Sequence, residues 1–178
     1  KEQLSRAKTA NFGIIYGIST YGLSQRIGMS RSDSKALIEE YFNNYPGVRE
    51  YINRMIASAK EKGYVETIYG RRRFLPDINS RNSVVRGYNE RNAINAPLQG
   101  SAADIIKLAM INVYKRLKTD GLKSRMVLQV HDELVLDVID NEKELITKLL
   151  KEEMENIAAL KVPLVAECNA GANWLEAH

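Results

Sequence analysis

Residues 129–138 read QVHDELVLDV: an apolar, β-branched run in which His131, Asp132 and Glu133 stand side by side. Runs of this type form strands, and a polar pair between two of them marks a turn. Residues 126–130 and 133–139 are therefore expected to form two antiparallel strands joined at His131-Asp132. A charged carboxylate buried in a sheet is costly unless paired or metal-bound, whereas at a hairpin tip it stays in water. Successive strand residues point to opposite faces, so Asp132 and Glu133 cannot both reach one ion from an ordinary strand. One of the two is a candidate metal ligand and the other faces elsewhere; Asp132, at the tip, could reach an ion without being buried first. Mg²⁺ takes few protein carboxylates and fills its shell with water and substrate phosphates. A two-metal phosphoryl-transfer site needs carboxylates from more than one segment. The competing reading is a plain polar turn.

The rest of the chain is mainly helical in pattern. Residues 1–16 read as a helix interrupted at NFG and ended by YGIS. Ser30 is a candidate N-cap for a helix over 31–42, with Asp33 in its first turn. NNYPG breaks that helix, and a second runs over 48–61 to Lys62-Gly63. Residues 64–68 and 71–75 flank Tyr69-Gly70 as a hairpin, and 77–83 are loop. A long helical pattern covers 84–117, bent at Pro97, which lacks an N–H and crowds the carbonyl of Ala93. Gly121 ends it. Asn141 is the expected cap of an amphipathic helix to about 158, and 164–169 are expected to form a last strand. Helices and strands are mixed without a regular βαβ alternation, which predicts an α+β fold with a small antiparallel sheet packed on helices.

A chain of 178 residues with 44% hydrophobic and 27% charged side chains is globular in composition. Its net charge of +4 suits an anionic partner. The charge is uneven: residues 1–35 carry a net +4, 64–95 a net +3, and 141–155 a net −2. The single cysteine, Cys168, excludes an internal disulfide framework and a thiolate zinc site. Lys1 stands where an initiator Met would, so the chain is expected to start inside something longer or to have been processed.

Two further segments carry chemistry. In KTANFGIIYG, Lys8, Phe12 and Tyr16 recur every four residues and share a stripe. A lysine meets phosphate as a point charge, and aromatic rings stack on a base or sugar. An amphipathic helix with a snorkelling lysine would show the same residues. Gly13 and Gly17 weigh against that, since glycine costs roughly 1 kcal/mol in a helix interior; they point to close approach by a ligand or a moving helix end. In RNAINAPLQGSAAD, Arg91, Asn95 and Gln99 again recur every four residues, a guanidinium and two amides suited to groove and sugar edges. A polar helix face is the alternative. Asp104 could be a third carboxylate; the competing reading is a buried residue hydrogen-bonded to backbone or to a basic neighbour.

KTANFGIIYG, TIYGRRRFLPDINSRN, ERNAINAPLQGSAADIIK and QVHDELVLDV, in this order, resemble family A DNA polymerases of the bacterial DNA polymerase I type. The resemblance extends to the terminal NWLEAH. It implies part of a helical fingers subdomain over 1–83 and part of the palm over 84–178. It implies a DNA-directed DNA polymerase that transfers nucleotides to a primer 3′-hydroxyl by a two-metal mechanism, cytoplasmic and nucleoid-associated. By resemblance, Lys8 contacts the incoming deoxynucleoside triphosphate. Phe12 lies at its sugar and favours deoxyribose over dideoxyribose, and Tyr16 stacks by the templating base. Arg91, Asn95 and Gln99 touch the minor groove of primer-template DNA, and Arg71, Arg72 and Arg73 lie toward the template strand. His131 lies at the primer terminus, Asp132 is a ligand of Mg²⁺, and Glu133 is an auxiliary beside it.

Two departures matter. The family carries an arginine four residues before the lysine, and here that position is Leu4, followed by Ser5. The family's other metal-binding aspartate, in a strand motif of the form DYSQIELR, does not occur, nor does the thumb. The expectation is a polymerase fragment, inactive alone, whose second carboxylate comes from a missing N-terminal part. The rival is a non-catalytic DNA-binding module or split-polymerase subunit. Self-association through exposed surface is a further expectation.

Overall fold

Two serines set the start of consecutive helices. The Ser19 side chain accepts from the Gly22 N–H and opens one helix; the Ser30 side chain accepts from the Asp33 N–H and opens the next. These are N-caps, which satisfy amide donors that the first helical turn leaves free. The computed structural model describes residues 2–177. Its contacts divide the chain after Gly100 into two compact units.

The first unit begins with α1 (Glu2–Ile15), α2 (Thr20–Ile27) and α3 (Arg31–Asn44). The expected interruption at NFG does not occur: α1 runs unbroken through Gly13. Gly13 instead admits a neighbour, because a Cβ there would meet Ile18 Cγ2 at 3.3 Å. The helix ends one residue before Tyr16. Gly17, at φ +74°, closes it, with Gly17 N–H donating to Ile14 O and Ile18 N–H to Gly13 O, the paired bonds of a Schellman motif. Helix α2 has no counterpart in the sequence reading. Ile14, Leu23 and Ile27 form a buried core, with Leu37, Ile38 and Tyr41 of α3 against it.

Helix α4 (Pro46–Lys62) starts on a proline, whose missing N–H costs nothing there. Gly63 ends it, and β1 (Tyr64–Glu66) pairs antiparallel with β2 (Arg72–Phe74), Tyr64 opposite Phe74 and Glu66 opposite Arg72. Then α5 (Ser83–Thr119) runs unbroken through Pro97. Asn82 caps it, its side-chain oxygen accepting from the Val84 and Val85 N–H groups. Ala59, Val65, Leu75, Ile78 and Ala93 make the second core of this unit.

In the second unit, the end of α5 packs with β3 (Arg125–Val130), β4 (Glu133–Asp137) and α6 (Lys143–Glu155). Val113, Leu117, Ile146 and Leu149 are its buried core, with Met126, Leu134 and Leu136 from the hairpin laid on it. The two strands are antiparallel, as expected, and carry an irregularity between Met126 and Leu128 that leaves Val127 unpaired. The mixture of helices with two small antiparallel hairpins is the α+β fold read from the sequence.

Two further expectations fail in the second unit. Asn141 does not cap the last long helix. Residues Asp140–Glu142 form a 3₁₀ turn and α6 begins at Lys143. The reason lies in Glu142, whose carboxylate turns away to accept from the Lys123 and Ser124 N–H groups and the Ser124 hydroxyl. Nor do residues 164–169 form a strand. Among the described residues β3 pairs only with β4, and the Ala166 N–H donates to the Glu155 side chain instead of to a sheet. No described helix is long and apolar enough to cross a membrane.

Candidate functional site

A cleft of about 1020 Å³ opens in the first unit beside α1 and α2. Lys8, Phe12 and Tyr16 line it from the α1 side. Although Tyr16 lies just past the helix end, the Tyr16 N–H still donates to Phe12 O. The stripe therefore continues for one more residue. Phe12 and Tyr16 rings stack with centroids 6.4 Å apart and planes 23° from parallel. Both stay exposed, Phe12 at 55% and Tyr16 at 38%, so this pair is not part of the core.

Arg91 and Asn95 of α5 line the same cleft. Thus the two motifs that the sequence shows 75 or more residues apart share one wall system. Asn95 Oδ1 is enclosed and has no hydrogen-bond partner. Buried acceptors are rarely left so, and an orphan marks a place where a donor arrives from water or ligand. Ile94, next to it, is fixed from two sides. The Tyr51 hydroxyl donates to Ile94 O at 3.0 Å, and a Cβ on Gly17 would meet Ile94 Cδ1 at 2.8 Å. Contrary to expectation, the two glycines do not mark the approach of a ligand: the close neighbours are the chain's own Ile18 at Gly13 and Ile94 at Gly17. Burial pushes the Tyr51 hydroxyl pKa up, with Arg54 opposing.

The third member of that stripe goes elsewhere. Gln99 lines a smaller cavity of about 90 Å³ with Arg71, Arg72, Arg73 and Gly100. The three arginines differ in their partners: Arg71 and Arg73 bond to α5, Arg72 to β1. Arg71 donates to Gly100 O at 3.0 Å and Arg73 to Asn92 Oδ1 at 3.4 Å. Arg72 pairs with Glu66 at 2.9 Å and lies over the Tyr64 ring at 4.6 Å. The hydrogen bond to Glu66 holds the Arg72 pKa above its ordinary value.

Sequence reasoning missed Arg26, which lines the cleft from the last turn of α2. The signal was the Ser19 cap followed by Leu23 and Ile27 four residues apart, which would have drawn the helix that carries it. Among the described residues no Asp or Glu lines this cleft.

The His131-Asp132 turn belongs to the second unit. Val130 pairs with Glu133, leaving two residues at the tip. His131 adopts φ 52°, uncommon for a residue with a side chain. The Gln129 amide donates to His131 O at 2.6 Å and holds the bend. His131 and Asp132 are exposed and Glu133 is half-buried. Asp132 can therefore present one hard oxygen donor. Among the described residues no group of three or more His, Cys, Asp or Glu gathers where it could hold a metal ion.

The sequence profile described as DNA polymerase family A matches residues 1–176. DNA polymerase I of Streptococcus pneumoniae is 53% identical over 171 residues, covering 96% of this chain and 20% of the relative. DNA polymerase I of Caldicellulosiruptor bescii is 51% identical over 175 residues, covering 98% and 21%. Among solved structures, the POL domain of Pol1 from M. smegmatis, in complex with DNA primer-template and dNTP, superposes with a TM-score of 0.95. It is 45% identical and covers 97% of this chain and 30% of that one. The chain spans about a fifth of the length of the curated relatives it matches. The profile match over nearly every residue, the shared identity and the shared fold place this chain in DNA polymerase family A.

Proposed function

We propose that this chain supplies the incoming-nucleotide cradle and part of the palm of a DNA-directed DNA polymerase, with residues 1–83 as part of the fingers and 84–178 as part of the palm. The observation that carries the reading is the single cleft lined by Lys8, Phe12, Tyr16, Arg91 and Asn95, cationic and free of carboxylates among the described residues. Lys8 takes the triphosphate, Phe12 packs on the sugar, and Tyr16 stacks against the nascent base pair. Asn95, with its unpartnered oxygen, and Arg91 read the minor-groove side, with Gln99 farther along. Arg71, Arg72 and Arg73 follow the template strand. His131 stands at the primer terminus with Glu133 as auxiliary, and Asp132 gives one oxygen to Mg²⁺. The ion's other carboxylate ligand comes from outside the chain. The pieces held here bind, orient and stack; they do not complete the chemistry. The cytoplasm, in the company of the nucleoid, is where such an enzyme works, in replication or repair.

The test is nucleotide-dependent DNA binding. The chain is titrated onto a primer-template whose primer lacks a 3′-hydroxyl, with and without the complementary deoxynucleoside triphosphate. Tightening by the complementary nucleotide alone supports the reading. Salt-sensitive binding that no nucleotide changes would leave a non-catalytic DNA-binding module. Primer extension by the chain alone, abolished by Asp132→Ala, would overturn the incompleteness of the site.

A further inference from the structure

We propose that Arg26 is a phosphate-binding residue of the α1–α2 cleft, the second cation beside Lys8 for the triphosphate of the incoming nucleotide; this rests on the nucleotide reading above. Ser19, Gly22 and Arg26 all line the cleft, and their spacings of three and four put them on one stripe of α2. The adjoining face of that helix is locked down, with Leu23 at 0% and Ile27 at 5% exposure against Ile14 of α1. The stripe that carries Arg26 is therefore held toward the cleft.

The first helix supplies one cation on its own stripe. One turn before Lys8 stands Leu4, which also lines the cleft and cannot bind phosphate. A triphosphate carries several charges, and a single lysine meets only part of them. A guanidinium adds a planar fork that can grip two phosphate oxygens together. Two other arginines of the first unit are occupied. Arg31 lies over the Tyr21 ring at 4.8 Å, and Arg49 pairs with Glu39 at 2.6 Å. The Arg26 side chain makes no hydrogen bond, ion pair or ring contact with the described residues. A basic residue in a helix's last turn also complements the helix dipole. That accounts for a charge near residue 26, but not for its place on the Ser19–Gly22 side.

The full chain is titrated with inorganic tripolyphosphate and with a deoxynucleoside triphosphate, and a short single-stranded oligonucleotide serves as the phosphodiester control. R26Q is expected to weaken tripolyphosphate and nucleotide binding roughly tenfold, about the worth of one charged hydrogen bond. Arg26→Lys is expected to lose less, and the urea midpoint to stay unchanged. If K8Q weakens nucleotide binding and R26Q does not, Arg26 is overturned and the nucleotide reading stands. If tripolyphosphate binding depends on Arg26 but the nucleoside adds nothing to it, Arg26 stands and the nucleotide reading falls. Absence of binding of either probe overturns both. An R26Q loss confined to the oligonucleotide overturns the assignment to triphosphate. A lowered urea midpoint in R26Q, restored by Arg26→Lys, would assign Arg26 to the helix end and overturn the proposal as well.

Discussion

The Gln129 side-chain amide donates to the His131 carbonyl oxygen at 2.6 Å across the tip of the β3–β4 hairpin. This bond spans the one described non-glycine residue at positive φ, His131 at 52°. A left-handed residue with a Cβ costs on the order of 1–2 kcal/mol, and such local strain clusters at functional turns. The hairpin keeps that cost at the position next to Asp132.

His131→Gly is therefore expected to leave stability unchanged or raise it by up to about 1 kcal/mol. Relief of the left-handed conformation exceeds the extra chain entropy that glycine gives the unfolded state, roughly 0.4–1 kcal/mol. Urea unfolding of the two proteins measures it. A loss above about 1 kcal/mol would mean that the imidazole, and not the backbone, holds the turn.

A steric prediction concerns Gly17. Alanine there meets two penalties at once: φ +74° and a Cβ 2.8 Å from Ile94 Cδ1. Together they are worth about 2–4 kcal/mol. Ile94→Val removes the Cδ1 methyl itself and alone costs about 0.5–1.5 kcal/mol. In the Gly17→Ala background it should cost less, or stabilise. The double-mutant cycle reads the coupling directly. Strict additivity would show that the penalty is conformational only.

What was legible in the sequence was what local chemistry decides. The Ser30–Asp33 cap, the Gly63 and Gly121 stops and the Tyr69-Gly70 turn all depend on residues within a few positions of one another. The hairpin around His131-Asp132 was legible for the same reason. Non-local bonds hid the rest. Asn141 looked like a cap because nothing in the sequence says that Glu142 reaches back to Ser124. Residues 164–169 looked like a strand because their composition suits one, whereas strand formation needs a partner edge. In the cleft, spacing revealed Lys8, Phe12 and Tyr16, and Arg91 with Asn95. It could not reveal that both sets face one space, or that Gln99 leaves for another. Arg26 had no repeat to mark it.

A core substitution calibrates the second unit. Leu149 is 1% exposed and packs with Val113, Leu117 and Ile146. Leu149→Ala is expected to destabilise by about 2–5 kcal/mol through lost burial and the cavity left behind. Because Leu149 joins α6 to the helix behind the β3–β4 hairpin, amide exchange in that hairpin should quicken as well. Unchanged exchange there would show that the strands hold together without α6.

The last prediction is a pH dependence carried by Glu142. Its carboxylate accepts from the Lys123 N–H at 3.0 Å, from the Ser124 N–H at 2.9 Å and from the Ser124 hydroxyl at 2.6 Å. The Ser124 oxygen in turn accepts from the Ile139 N–H at 3.1 Å, so one carboxylate ties the start of β3 to the chain leaving β4. Bonds from the Lys123 amide first, then from the Ser124 hydroxyl and amide, hold the Glu142 pKa below the ordinary glutamate value. A group whose pKa is lower folded than unfolded contributes stability above its unfolded pKa, near 4.3, and loses it as pH falls through the folded value. The urea midpoint should therefore be level from pH 7 to about pH 5 in this respect and drop below that. In Glu142→Gln the midpoint at pH 7 should already be lower, because the amide replaces one acceptor oxygen with a donor that faces other donors. The difference between the two proteins should shrink as pH falls through the acid range. A difference that stays constant down to pH 3 would mean that the clasp acts through shape and not through its charge.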